Sequence, residues 1–165
     1  MSLNWNFGTG AVSETASTLS YYPWEYDDAM RVKSTTPNQA KLTDILSPLD
    51  KTTELKISTE SIANVYSTLA SYKIPVAAQS ANQTGTSVFV QLRTTVDYDM
   101  TVGSTTTNIQ LPLEARLQIR VPNDAELVDA EITKLVGHLY SSICESDGTT
   151  RIGEIIRGGL VPKEI

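Results

Sequence analysis

Three groups of residues have types and spacings that could support chemistry. Asp97 and Asp99 alternate along one segment, so a strand would put both carboxylates on one face about 7 Å apart. That is a minimal start for a metal site, but a solvated or Arg-paired strand edge fits the same residues better. His138 and Cys144 are the only imidazole and the only thiol in the chain. An internal disulfide and a Cys/His zinc cluster are therefore excluded. His138 sits beside an apolar helical stripe and reads as a packed or surface imidazole, and Cys144 reads as a half-buried apolar filler. Gly8-Thr9-Gly10 is a lone turn pair, and no nucleophile elbow, phosphate loop, dinucleotide fingerprint or zinc-protease motif is present. No catalytic residue, metal or cofactor is expected, so the chain does not read as an enzyme.

The third group is cationic. Lys56, Arg93, Arg116 and Arg120 fall on the polar side of alternating segments. In Val88–Met100, the residues Val88, Val90, Leu92, Thr94, Val96, Tyr98 and Met100 share one face. Phe89, Gln91, Arg93, Thr95, Asp97 and Asp99 share the other. Thirteen extended residues make a strand of about 44 Å, well above the usual length. After Val102–Asn108, read as a flexible loop, a second strand puts Leu111, Leu113, Ala115, Leu117, Ile119 and Val121 on one face. Gln110, Pro112, Glu114, Arg116, Gln118 and Arg120 lie on the opposite one, and Pro122 stops it. The arginines then form a modest basic band, with Arg–carboxylate pairing for sheet stability as the competing use.

The elements around these strands follow from the same patterning. Leu3–Phe7 and Ala29–Lys33 alternate as short strands, and Tyr21–Tyr26 is an aromatic cluster broken by Pro23. Pro37-Asn38-Gln39 and Ser47–Asp50 read as turns. Leu55 and Ile57 begin a strand whose phase shifts before Ile62, Val65 and Tyr66, which predicts a bulge near Thr59–Ser61. Residues 78–87 read as a polar loop. Asn123 with Glu126 three residues on predicts a helix start. Val128, Ile132, Leu135, Leu139 and Ile143 form its apolar stripe, and Ser146–Gly148 its end. A shorter helix over Thr150–Arg157 presents Ile152, Ile155 and Ile156. The layout is α+β: an antiparallel meander followed by two C-terminal helices covering its apolar face.

The 165 residues fit a single domain, with residues 1–52 irregular, 53–122 the main sheet and 123–165 helical. With 40% hydrophobic and 19% charged residues, a packed core is attainable. The net charge of -6 argues against a generally basic coat, but not against a local basic face. The helical third holds four basic groups against eight acidic ones, so the acidic excess is denser there. No apolar run is long enough to span a bilayer, and the N-terminus lacks a leader pattern. A soluble protein without a membrane partner is expected.

Taken in order and spacing, several segments resemble the coat proteins of single-stranded RNA bacteriophages, the leviviruses and their relatives. They are Glu54–Ser58 with Ala63–Tyr66, Val88–Leu92, Leu111–Leu117 with Ile119–Pro122, and Thr150–Pro162. The likeness covers roughly residues 53–165. It implies an interlocked homodimer, with two sheets joined edge to edge and each chain's helices crossing the partner's sheet. Val128, Ile132, Leu135, Leu139, Ile143, Ile152, Ile155 and Ile156 would form that interface. It implies an icosahedral shell around single-stranded genomic RNA, assembled in the bacterial cytoplasm. The loop Val102, Gly103, Ser104, Thr105, Thr106, Thr107, Asn108 would gather at the symmetry axes. The inward polar face, holding Lys56, Ser58, Gln91, Arg93, Thr95, Arg116, Gln118 and Arg120, would bind RNA and a genomic hairpin that represses translation. Asp97, Asp99 and Glu114 weaken that face. The alternative from a different class is a non-viral binding module whose polar sheet face holds a small ligand or peptide.

Overall fold

A computed structural model describes residues 26–144 and 149–159. They fall into two compact units, residues 26–124 and the helical residues from Ala125 onward. The first holds one five-stranded antiparallel sheet in the order β1-β2-β3-β4-β5. A single helical turn, α1 (Tyr26–Ala29), leads into β1 (Met30–Thr36). The following strands are β2 (Gln39–Asp44), β3 (Glu54–Ile62), β4 (Gly85–Val102) and β5 (Thr105–Pro122). The meander is the expected one, because alternating residues with short polar connections favour neighbouring antiparallel strands.

The N-terminal part of the sheet is more regular than its sequence suggests. Pro37-Asn38 is a tight turn joining β1 to β2, and the register slips between Val32 and Ser34. That bulge at Lys33 breaks the alternation, so the short strand expected over Ala29–Lys33 runs on to Thr36. The bulge expected near Thr59–Ser61 is absent, since β3 pairs with β4 without interruption from Glu54↔Arg93 to Ile62↔Gly85. The phase shift has another cause. The chain leaves the sheet at Asn64, whose side chain accepts from the Ser67 amide at 2.9 Å and caps the short helix α2 (Val65–Thr68). The polar loop is also shorter than expected, because β4 already starts at Gly85.

Val65 docks against Gly85, and both are buried. A Cβ at residue 85 would run into Cγ1 of Val65 and stand 2.6 Å from the Val121 carbonyl oxygen. Neither backbone nor a β-branched side chain gives way easily, so Gly85→Ala is expected to cost about 1–3 kcal/mol. A lowered thermal midpoint would verify it, and a variant melting with the wild type would refute the tight docking. The interior of the sheet unit is small: Ala29, Met30, Leu55 and Val65 are its buried apolar residues among those described.

The flexible loop expected over Val102–Asn108 is instead ordered hairpin. Val102 pairs with Thr105, Thr101 with Thr106, Met100 with Thr107 and Asp99 with Asn108, leaving Gly103-Ser104 as a two-residue turn. Gly103 has φ +64°, as the first position of a tight hairpin turn demands. Thr-rich sequence looks like loop by polarity but suits a pleated ribbon by shape. Pairing with β3 ends at Arg93, so Thr94–Val102 and Thr105–Leu113 project as a two-stranded ribbon. Each long strand has 18 residues, about 60 Å of extended chain.

In the helical unit, α3 (Asp129–Ser141) begins later than the capping motif predicts, with Val128 at its N-cap. Asn123 is already engaged in the sheet. Its amide donates to the Thr84 carbonyl at 2.9 Å, its carbonyl accepts from Asn82, and its side chain accepts from the Thr86 hydroxyl. It has no free oxygen with which to cap. Helix α3 also ends before the expected stop at Ser146–Gly148; residues 145–148, Leu3–Phe7 and most of the aromatic cluster lie outside the described residues. The bridge between Cys144 and Thr150, and the Arg151 amide bonded to the Ile143 carbonyl at 2.8 Å, lead into α4 (Ile152–Ile156). Gly158, at φ +94°, terminates it. No described helix is long and apolar enough to cross a membrane.

Candidate nucleic-acid interface

The strand registers stack the polar side chains into straight rows across one face of the sheet. One row runs Lys41, Lys56, Gln91, Arg116, and the next runs Thr43, Glu54, Arg93, Glu114. A third runs Gln39, Ser58, Phe89, Gln118, and a fourth Glu60, Ser87, Arg120. Directly opposed side chains in such rows are about 5 Å apart, so each row is a contact chain. Between the first two rows lies a polar hollow of about 110 Å³, lined by Lys41, Glu54, Leu55, Lys56, Gln91 and Arg93.

The charges on this face are unequally committed. Glu114 bonds Arg116, accepts from Arg93 Nε at 2.7 Å, and accepts from the Gln91 amide at 2.7 Å. These contacts, Arg116 first and Arg93 next, pull its carboxyl from 4.5 down to about 2. Glu54 is likewise held low, chiefly by its hydrogen bond from Lys33. Lys41 and Lys56 form no ion pair among the described residues, and Arg120 reaches only the Gln118 amide oxygen, at 3.4 Å. The cations with most remaining capacity for phosphate are thus Lys41, Lys56 and Arg120.

Asp97 and Asp99 are engaged with separate partners. Asp97 pairs with Lys51, whose ammonium it stabilises, and Asp99 accepts from the Asn108 amide at 2.9 Å. No cluster of three metal-ligating side chains occurs among the described residues. The edge is paired through Lys51 and Asn108, not through an arginine.

The acid sensitivity of the network follows from the Glu114 shift. A carboxyl whose folded pKa is depressed contributes stability that is fully present above its unfolded value and declines as pH falls toward the folded one. The Glu114 contribution is thus complete above pH 4.5 and fades between 4.5 and about 2. Glu114→Gln should flatten that part of the stability–pH curve, as followed by circular dichroism during acid titration. An unchanged curve would show that the network does not couple to folding.

No protein-family model matches this sequence, and no curated protein matches it. Solved structures do resemble it. The subunit of the virus-like particle of bacteriophage AVE015 superimposes with a TM-score of 0.79 and 23% identity, over 99% of this chain and 98% of that one. The virus-like particle of bacteriophage GQ-112 gives 0.67 and 14%, over 91% and 93%. The fold is that of a levi-like phage coat protein.

On this coat-protein fold, all eight residues proposed for RNA share the polar face, but not on equal terms. Arg93, Arg116, Gln118 and Arg120 are exposed, Lys56 and Ser58 are half-buried, and Thr95 lies out on the ribbon opposite Pro112. Gln91 is only 6% exposed, and its amide donates to Glu114. Lys41 and Phe89 share this face as well. Lys41 lies on β2, which the sequence pattern does not single out; Phe89 sits half-buried between Ser58 and Gln118. None of the eight residues expected at the dimer interface is buried: Val128, Leu135, Leu139, Ile152 and Ile156 are exposed, and Ile132, Ile143 and Ile155 half-buried. The apolar side of the ribbon is open as well, through Val96, Tyr98, Met100, Leu111 and Leu113.

Proposed function

We propose that this chain is a structural capsid protein that dimerises and assembles into an icosahedral shell around single-stranded RNA. The observation that carries the reading is the likeness over nearly the whole chain to the subunit of a phage virus-like particle. Two surfaces support the finer assignments. The first is the apolar set left open on the ribbon and on both C-terminal helices, more than an isolated soluble chain normally displays. In the dimer, each chain's helices cross the partner's sheet and close that set. The second is the polar face, where Lys41, Lys56, Arg93, Arg116 and Arg120 meet phosphates, while Ser58, Gln118 and the Phe89 ring meet unpaired bases. Gly103-Ser104 and the ribbon behind it stand near the symmetry axes. Binding of a genomic hairpin would let the same face repress translation.

Expression alone in bacteria tests the reading. Size-exclusion chromatography with absorbance at 260 and 280 nm, and negative-stain imaging of the leading peak, should find uniform round shells containing nucleic acid. A small RNA-free species would favour a binding module whose polar hollow takes a small ligand.

A further inference from the structure

The loops at the two ends of β3 have apolar tips and opposite charges. The loop from β2 to β3 exposes Ile45, Leu46 and Leu49, the last of them at 98%. The loop from β3 to β4 exposes Tyr72, Ile74 and Val76. Both loops are braced from within, so neither can fold its tip away. The Ser47 hydroxyl donates to the Asp44 carbonyl and accepts from the Thr53 amide at 3.1 Å, while the Lys51 ammonium is tied to Asp97. In the other loop the Gln79 side-chain amide donates to the Ile74 carbonyl at 3.1 Å, and the Tyr66 hydroxyl accepts from the Ser80 amide at 2.7 Å. Bracing of this kind pre-organises a contact surface. Lys73 is the only charged residue between Ile62 and Gly85. It is exposed and makes no ion pair among the described residues. Its φ of +49° is a left-handed conformation that favours glycine, so the cation is kept at this tip against the preference of the backbone. The β2–β3 loop offers the opposite sign. With Lys51 engaged by Asp97, Asp50 stands exposed beside Leu49 and makes no ion pair among the described residues.

We propose that the β3–β4 loop of one copy docks head to tail on the β2–β3 loop of a second copy in a neighbouring dimer. Lys73 meets Asp50, and the apolar tip around Tyr72 meets the one around Leu46 and Leu49. This rests on the coat-protein reading and names a contact between its dimers. Three features make a second copy the occupant. The two loops lie at opposite ends of β3, nine residues and about 30 Å of extended chain apart, so one chain cannot close the contact on itself. Each tip supplies what the other lacks: apolar surface on both sides, a single cation on one and an uncommitted carboxylate on the other. Self-pairing of either loop sets Lys73 against its copy or Asp50 against its copy, and opposed like charges count against both. A contact between two different surfaces is heterologous. It passes from copy to copy and closes into a ring where the rotation permits, as a shell requires around its axes.

Cysteine cross-linking of assembled particles in a Cys144→Ser background tests the contact. Each copy carries one loop of each kind, so Asp50→Cys/Lys73→Cys should be joined by a short bismaleimide into a ladder extending beyond two chains on a denaturing gel. Asp50→Cys alone and Lys73→Cys alone should give no product. Products that stop at two chains would put the contact inside the dimer and overturn the proposal, and so would self-joining of either single variant. Particles of normal yield with no cross-link between these positions would also overturn it and leave the two tips to partners outside the shell. Should the cysteine variants fail to assemble, exchange of the charges carries the test. Asp50→Lys alone and Lys73→Asp alone should each raise the dimer concentration needed for particles, and Asp50→Lys/Lys73→Asp should lower it again. Indifference to both single changes, or no recovery in the double variant, would overturn the pairing. All of these outcomes leave the coat reading intact, because the unaltered protein still forms particles. If the unaltered protein forms neither dimers nor particles, the coat reading itself fails and this contact falls with it.

Discussion

Lys41→Ala/Lys56→Ala should weaken RNA binding more than Arg93→Ala/Arg116→Ala, although the arginines are the stronger phosphate ligands in isolation. The reason lies in what each cation already holds. Arg93 and Arg116 share Glu114, so the three groups together carry a net charge of +1 and each guanidinium is already partly neutralised. Lys41 and Lys56 adjoin in the same row without an ion pair among the described residues, so both of their charges are available to phosphate. For single strands each neutralised phosphate contributes a slope of about 0.7 in the logarithmic salt dependence. Losing two contacts should reduce that slope by about 1.4 and the affinity roughly tenfold at 0.15 M salt. Filter binding of dimers to a short single-stranded RNA across a salt series measures both quantities. The opposite sign is expected for Glu114→Gln, which frees two guanidinium groups and should raise affinity by a few-fold while weakening the acid-sensitive network. Equal losses for the two double variants would mean that the Glu114 pairs dissolve when RNA arrives.

The sequence was most legible where one face of a strand is apolar and the other polar. The two long strands and the polar face holding Gln91, Arg93 and Arg116 follow from period-two alternation alone. The failures have local physical causes. The Lys33 bulge breaks the alternation of β1, so the pattern stops at Lys33, short of Thr36, and the partner strand β2 with its cation Lys41 is not signalled. The Thr-rich stretch after Met100 has the composition of a loop but the shape preference of a strand, and pairing decided for the strand. Asn123 carried a helix-start signal that three hydrogen bonds in the sheet had already claimed. The commitment of Gln91 to Glu114 depends on register between strands more than twenty residues apart, which no local pattern encodes.

Leu111→Asp and Leu139→Asp should each abolish dimers and particles while leaving the secondary structure of the chain intact. Both side chains are exposed, Leu111 at 46% and Leu139 at 55%, so a carboxylate there finds water in the isolated chain. Surface substitutions of this kind typically change stability by no more than about 0.5 kcal/mol. If a partner chain covers these residues, the same carboxylate is buried without a cation, and that costs several kcal/mol. About 3 kcal/mol would raise the dimer dissociation constant more than a hundredfold. The contrast between the two environments makes the pair diagnostic. A residue that matters to the folding of its own chain should lower helix and strand content when charged, whereas one that matters only to assembly should not. Sedimentation velocity with far-UV circular dichroism separates these outcomes. A dimer of normal mass in both variants would mean that the ribbon's apolar side and the α3 stripe face solvent in the assembled protein. A monomer from Leu139→Asp with a dimer from Leu111→Asp would assign dimerisation to the helices and leave the ribbon for contacts between dimers.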